Sequence, residues 1–223
     1  STTANATKTA AADLNGDGIT DIVYGSSTQN KIWIQYGTGN GNFGTASPIT
    51  FGSAGYSLDQ LFLGDINGDG FGDLILGAPS KFSPVPEDHT HPVFGDAYVL
   101  LGKAGGFEET MHLGNLNGSD GFHISGVSDD GLGYSVSDGG DINGDGLADL
   151  IVGAKNADVT GKNAGASYVI FGQSTGFVSE LPLSTLDGVT GFSITGGLQG
   201  DLLGNSVSSA GDINGDGFDD VIV

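Results

Sequence analysis

The 223-residue chain has no cysteine and no arginine, six lysines, one methionine and one tryptophan. Each shortage excludes something. Without cysteine there is no disulfide framework, no thiolate metal site and no cysteine nucleophile. Six scattered cations against 27 acidic residues leave a formal charge of −21. Such a surface cannot neutralise a phosphate backbone, so no nucleic acid is expected as a partner. No stretch of about 18 apolar residues occurs, so no membrane span is expected. Strong helix formers are few beside 42 glycines, which predicts little helix. Yet a hydrophobic content of 37%, with 12 Phe and 6 Tyr, is too apolar for a disordered acidic tail.

What is present repeats. Four nine-residue segments share one pattern: Asp13-Leu-Asn-Gly-Asp-Gly-Ile-Thr-Asp21, Asp65-Ile-Asn-Gly-Asp-Gly-Phe-Gly-Asp73, Asp141-Ile-Asn-Gly-Asp-Gly-Leu-Ala-Asp149 and Asp212-Ile-Asn-Gly-Asp-Gly-Phe-Asp-Asp220. Each opens onto an apolar run, Ile22-Val-Tyr24, Leu74-Ile-Leu76, Leu150-Ile-Val152 or Val221-Ile-Val223. Further runs follow, Ile32-Trp-Ile-Gln-Tyr36, Tyr98-Val-Leu-Leu101 and Tyr168-Val-Ile-Phe171, and then Gly121-Phe-His-Ile-Ser-Gly126 and Gly191-Phe-Ser-Ile-Thr-Gly196. These runs are short, β-branched or aromatic, and bounded by Gly, Asn or Asp, which is strand composition with turn punctuation. The run after each acidic loop does not alternate, so it is expected to be buried on both faces.

Each repeat therefore reads as four strands, with the acidic loop between the first and second. Four-stranded units at this spacing predict an all-β propeller of antiparallel blades. Blade one covers 8–52, blade two 59–126 and blade three 132–196; a half blade occupies 204–223. Three and a half blades leave open edges, which invite pairing. The expectation is that missing sequence or another chain completes them.

The loops carry the strongest chemical signal. Hard cations take oxygen ligands, and Ca²⁺ accepts six to eight in flexible geometry. Side chains at loop positions one, three and five converge if the chain curls around one point, and Gly at four and six permits that curl. Position seven offers a backbone carbonyl and position nine another carboxylate. Twelve of the 27 acidic residues occupy these positions. An EF-hand would need an acidic residue at position 12, where Tyr24, Leu76, Val152 and Val223 stand; dockerin modules fail similarly, and thrombospondin-like calcium repeats are Cys-rich. One such loop could be a plain Asp/Asn/Gly turn. Four copies in register, each opening onto an apolar strand, argue against that.

On these motifs the sequence resembles the FG-GAP repeats of the integrin α-subunit β-propeller and its bacterial relatives. Leu132-Gly133 and Leu203-Gly204 match the first element, Gly77-Ala78-Pro79 the second, and Gly153-Ala154-Lys155 matches the second less fully. Blade one departs, with Gly25-Ser26-Ser27 in place of the second element. The resemblance implies a propeller, usually of seven blades, with about four Ca²⁺ sites on its lower face. It implies as ligands Asp13, Asn15, Asp17 and Asp21; Asp65, Asn67, Asp69 and Asp73; Asp141, Asn143, Asp145 and Asp149; and Asp212, Asn214, Asp216 and Asp220. Ile19, Phe71, Leu147 and Phe218 would each add a carbonyl. Asn115-Leu-Asn-Gly-Ser-Asp120 imitates a loop but lacks its acidic pattern, and reads as a turn before the fourth strand of blade two.

The insertion Pro79–Gly95 carries Glu87-Asp88-His89-Thr90-His91. His89 and His91 are spaced to face one transition metal, but a solvated, Pro-punctuated loop is the plainer reading. With Lys155–Gly165 it is expected to form the rim where a partner docks. His112 and His123 show no evident partner in the sequence. No catalytic residues are assigned: no Gly-x-Ser-x-Gly elbow occurs, and there is no arginine for an anionic substrate. Trp33 invites a glycan-stacking role, although its mid-strand place favours core packing. The reading is an extracellular or cell-surface, calcium-binding scaffold for adhesion or protein interaction. The alternatives are a lectin-like propeller, or a non-catalytic module of a secreted polysaccharide- or lipid-degrading enzyme.

Overall fold

A computed structural model of the chain describes residues 8–26, 31–50, 58, 60–79, 94–108, 111–174 and 176–223. The chain is all-β and builds a partial propeller of four sheets in chain order, with a separate two-stranded ribbon of Gly37–Gly39 and Asn42–Phe43. The first sheet orders strands Lys8–Ala12, Asp21–Ser26, Lys31–Gln35 and Ser47–Thr50. The second orders Gln60–Gly64, Asp73–Ala78, Phe94–Leu100 and Gly121–Ser128. The third orders Leu132–Gly140, Asp149–Ala154, Ala166–Ile170 and Gly191–Thr195, and the fourth pairs Ser208–Gly211 with Asp220–Ile222. These pairings are antiparallel throughout. The helix among the described residues is two single 3₁₀ turns, Leu113–Asn115 and Leu183–Thr185.

Apolar side chains pack the sheets face to face. Leu14, Val23, Ile32 and Ile34 of the first meet Leu61, Leu74, Leu76 and Leu100 of the second. Ile75, Val99, Phe122 and Ile124 leave the opposite face of the second sheet and meet Leu132, Leu150, Val152 and Ile170 of the third. Ile151 and Val169 then turn to Val207 of the fourth. Side chains alternate between faces along a strand, so a strand buried on both faces must be apolar without interruption. Asp73–Ala78 and Asp149–Ala154 are buried at every position. The first-sheet run differs: Val23 is buried whereas Ile22 and Tyr24 are half-buried. Among the described residues the first sheet packs on a neighbour through one face, so there the two-sided burial expected from the sequence does not hold. The same applies to Val221 and Ile222 in the fourth, which are half-buried and exposed. Trp33 is half-buried rather than central, and its ring stacks on Tyr24 across the strand pair at 5.6 Å.

The motif glycines explain how closely the sheets approach. Gly133 has φ +80°, and a Cβ there would strike the Asp96 carbonyl; a Cβ on Gly77 would strike the Gly133 carbonyl. The next pair repeats the contact, with Gly153 against Gly204 and Gly204 against Ala166. Only a residue without a side chain lets the backbones meet there.

The second sheet also has a fifth strand that the four-strand reading omits. Glu180–Leu181, from the long connection of the third repeat, pairs in parallel with His123–Ile124. Phe177 stacks on Phe122 at 4.2 Å, and the His123 N–H donates to the Ser179 carbonyl at 3.0 Å. The second and third repeats are thus stapled at their outer edges as well as in their core. Asn117 and Asp120 form a turn ahead of strand Gly121–Ser128, with the Asn117 N–H donating to Asp120 Oδ1 at 3.0 Å. His89 and His91, with the insertion around them, lie outside the described residues.

A buried carboxylate closes the tight turn between the second and third sheets. Asp130 accepts the N–H groups of Val127 at 2.8 Å and Leu132 at 3.0 Å. Burial pushes this carboxyl above its ordinary 3.8, and the charge of buried Asp96 adds to the rise. Tyr168 faces the same group and is itself held up by burial and by Asp130.

Two outcomes follow from this packing. Gly133→Ala forces both a left-handed conformation and a backbone collision, and lowers stability by at least about 2 kcal/mol, read as a fall in the urea midpoint. The unfolded chain ionises Asp130 near 3.8, while the folded chain keeps the proton to higher pH. The stability it contributes is therefore full below that value and is lost as pH rises through the folded value. As pH rises above the unfolded value the parent chain should lose stability relative to Asp130→Asn, measured as the difference between their urea midpoints.

Candidate functional site

The four acidic loops fold to one hydrogen-bonded plan. Position one is the hub. Asp13 Oδ1 accepts the N–H groups of Gly16 at 2.7 Å and Asp17 at 3.2 Å, and Asp13 Oδ2 accepts that of Gly18 at 2.8 Å. Asp141 and Asp212 accept the same three donors within 3.0 Å. Asp65 accepts from Asp69 and Gly70 at 3.1 and 2.9 Å. Position three caps position five: Asn15, Asn67, Asn143 and Asn214 each accept the following Asp N–H through Oδ1. Position five in turn accepts the N–H of position seven, so Asp17, Asp69, Asp145 and Asp216 hold Ile19, Phe71, Leu147 and Phe218. Glycines at four and six have positive φ in every loop, from 69° to 92°, which is why the curl needs them.

Position nine does different work. Asp21, Asp73 and Asp149 are fully buried. Each accepts the N–H of position two, from Leu14, Ile66 or Ile142, at 2.8–2.9 Å. Its other oxygen accepts the N–H of a glycine just beyond the third strand: Gly37 at 2.8 Å, Gly102 at 2.7 Å and Gly172 at 2.9 Å. Asp220 bonds Ile213 at 2.9 Å and is only half-buried.

The electrostatics follow from this split. Asp13 is held below its usual range because bonds from Gly18, Gly16 and Asp17 outweigh desolvation. Asp212 is lowered in the same way, first by Gly217. Burial pushes Asp73 up to about 7, with repulsion from Asp69 and Asp65 adding to it. Burial likewise lifts Asp149 to about 6, with Asp145 adding repulsion. Among the described residues the ion pair present is Lys103–Glu108 at 3.7 Å, so no lysine relieves these loops.

The structure brings positions one, three and five together through their hydrogen bonds and sets position nine beneath them. No three His, Cys, Asp or Glu side chains surround one point among the described residues; the carboxylates are turned onto backbone N–H groups instead. The donor set still suits a hard cation. It is all oxygen, and a carboxylate oxygen that accepts one N–H keeps a second lone pair. The position-six glycines leave open space, with no atom within 4 Å of a Cβ placed on any of them.

His123 has partners that the sequence does not reveal. It stacks on Tyr98 at 5.6 Å, and its Nε2 lies 2.9 Å from Ser125 Oγ. Ser125 gives its proton to Glu180 Oε1 at 2.5 Å, so the imidazole is the donor to the serine oxygen. A serine nucleophile needs the reverse, its proton handed to the histidine. This trio latches the fifth strand to the edge of the second sheet.

Similarity to known proteins agrees with the repeat and the fold. Residues 13–76 match the FG-GAP-like repeat, and 59–99 and 132–170 match the FG-GAP repeat. The chain belongs to the FG-GAP repeat family. Integrin alpha pat-2 of Caenorhabditis elegans is 30% identical over 96% of this chain and 17% of its own length. Integrin alpha-6 of Homo sapiens is 30% identical over 66% of this chain and 11% of its own. The chain thus spans less than a fifth of the length of these relatives. A solved rhamnogalacturonan lyase of Bacillus licheniformis superposes over 97% of this chain and 39% of that one, at a TM-score of 0.48 and 14% identity. That likeness is too loose to bear on function.

The buried carboxylates yield a prediction. Asp73→Ala leaves the buried N–H groups of Ile66 and Gly102 without acceptors and should cost about 1–3 kcal/mol in chelator. Asp73→Asn, which keeps one acceptor oxygen, should cost less. Urea midpoints of the two variants check the order.

Proposed function

We propose that this chain is a calcium-stabilised propeller segment serving as an extracellular scaffold for adhesion or protein interaction. The observation that carries the reading is the fourfold recurrence of one oxygen-lined loop at the same end of every sheet, in a chain whose relatives are named integrin alpha. The side chains of Asp13, Asn15, Asp17 and Asp21 would hold one ion with the Ile19 carbonyl, and the equivalent residues of the other loops would hold theirs. Bound there, calcium supplies positive charge among carboxylates that have no lysine partner. The protein's part is to pre-shape each loop: position one gathers two or three amides, and in the first three loops position nine anchors the loop to the end of the third strand.

The partner face lies at the other end of the strands, because the connections from second to third strand and from sheet to sheet run there. Among the described residues, those of the third sheet and of its junctions with the second and fourth bond into one shelf. The Asn156 N–H donates to the Asp130 carbonyl at 2.9 Å, and Gly200, Leu202 and Leu203 donate to Lys162, Asn163 and Ala164 at 3.1–3.2 Å. Val127, Val159 and Leu198 stand exposed on it. A rigid backbone shelf carrying scattered apolar side chains suits a protein ligand better than a charged one, and no catalytic step is assigned to it.

Calcium at millimolar level, against affinities on the order of 10⁻⁴ M, would stabilise by about 1.4 kcal/mol per site. Over four sites, chelation should lower the melting temperature by about 10 °C or more. Asp145→Ala should remove one ion from the bound total at saturation, counted by equilibrium dialysis. A melting curve indifferent to chelator and calcium would refute the structural role of the ion. Binding of glycans rather than extracellular proteins on an array would move the reading to a lectin.

A further inference from the structure

We propose that adjacent acidic loops take up their ions cooperatively, because each loop is built partly from its neighbour. This rests on the calcium reading above and names how that site is regulated. The first observation is steric. Position four of each loop is covered by the position-seven side chain of the next one. A Cβ on Gly16 would run into the Phe71 ring, one on Gly68 into Leu147, and one on Gly144 into the Phe218 ring. Gly215 of the last loop has nothing within 4 Å. The residue whose carbonyl is assigned to one ion therefore lies with its side chain on the curl that surrounds the preceding ion.

The second observation is a shared peptide unit. The Gly72 N–H donates to the Asp13 carbonyl at 3.0 Å, and the Asp219 N–H donates to the Asp141 carbonyl at 2.9 Å. Each N–H belongs to the same planar unit as the position-seven carbonyl, of Phe71 or Phe218. Described peptide bonds are trans, so carbonyl and N–H point in opposite directions from one rigid plane. Turning Phe71 C=O onto an ion in loop two fixes the direction of Gly72 N–H. That N–H in turn fixes the backbone of Asp13, the hub of loop one. An accepting carbonyl at one end also polarises the unit and strengthens the oxygen at the other. Loops three and four carry a second tie, since the Asp141 N–H donates to Asp219 Oδ2 at 2.7 Å. Loops two and three have the Leu147 cover and an indirect bond, Gln173 N–H to the Ile66 carbonyl at 3.2 Å. Coupling is therefore strongest within the pairs one–two and three–four.

The test uses the whole chain titrated with calcium chloride. Amide NMR signals of Gly18, Gly70, Gly146 and Gly217 report each loop separately, because each N–H donates to its loop's position-one carboxylate. Asp69→Ala disables loop two. Coupling predicts that the calcium Kd read at Gly18 rises about fivefold or more, and that Asp17→Ala weakens loop two by the same factor, as linkage requires. Asp216→Ala should leave Gly18 unmoved. Phe71→Ala keeps every loop-two ligand yet should shrink the coupling, and it serves if Asp69→Ala fails to fold. A Kd at Gly18 that stays within twofold in both Asp69→Ala and Phe71→Ala overturns the coupling alone. Four amides that ignore calcium in the parent chain overturn the calcium reading and the coupling together.

Discussion

A buried carboxylate at the ninth position of the first three acidic loops holds together parts that would otherwise be independent. Asp21, Asp73 and Asp149 sit at the first residue of the second strand, fully out of solvent. Each binds the second residue of its own loop and a glycine beyond the third strand. Three segments of each of the first three sheets thus meet on one side chain. In Asp73 and Asp149 the arrangement carries a tension, because burial and the neighbouring aspartates raise the carboxyl toward neutrality, to about 7 and about 6. Two backbone donors offset part of that penalty, and a cation above would offset more. The group that sets sheet geometry would therefore also set the affinity for the proposed ion, which couples the fold to the chemistry proposed for it.

The two ends of the strands differ for a reason rooted in antiparallel connection. Joining the first strand to the second and the third to the fourth puts those connections at one end, and the remaining connections at the other. The acidic loops fill the first end in all four sheets. The second end carries the interbonded backbone of 156–164 and 196–203. The end proposed to hold ions and the end proposed to meet a partner are thus built from different residues. Substitution at the exposed Val159 or Leu198 would not disturb the loops on the far side.

Much of this was legible in the residues because the determinants are local or periodic. The Asp-x-Asn-Gly-Asp-Gly spacing encodes the loop skeleton directly, since its donors and acceptors lie within five residues of one another. Unbroken Leu74-Ile-Leu76 signals two-sided burial because the flanking residues must each satisfy a different neighbour, and Leu74 and Leu76 do face one sheet while Ile75 faces the other. The same inference fails at Ile22 and Tyr24 because burial belongs to the neighbour as much as to the strand. Glu180–Leu181 left no trace: two residues have no period, and parallel pairing with His123–Ile124 is decided by Phe177 on Phe122 from a distant part of the chain. The His123–Ser125–Glu180 chain is invisible for the same reason.

The glycines show how sequence motif and ion chemistry converge. Gly77 and Gly133, or Gly153 and Gly204, are conventionally turn residues, yet here they are the points where backbones of consecutive sheets touch. Close approach at these points sets the distance between sheets, and therefore the distance between consecutive acidic loops. Were the third and fourth sheets farther apart, Phe218 would not reach Gly144 and the Asp219 N–H would not reach the Asp141 carbonyl at 2.9 Å. The small residues that define the repeat thus act on the loops without touching them. A methyl group at Gly133 would be felt first as lost packing between the second and third sheets. Its second effect would be a loosened contact between Leu147 and Gly68, the least tied of the three loop junctions.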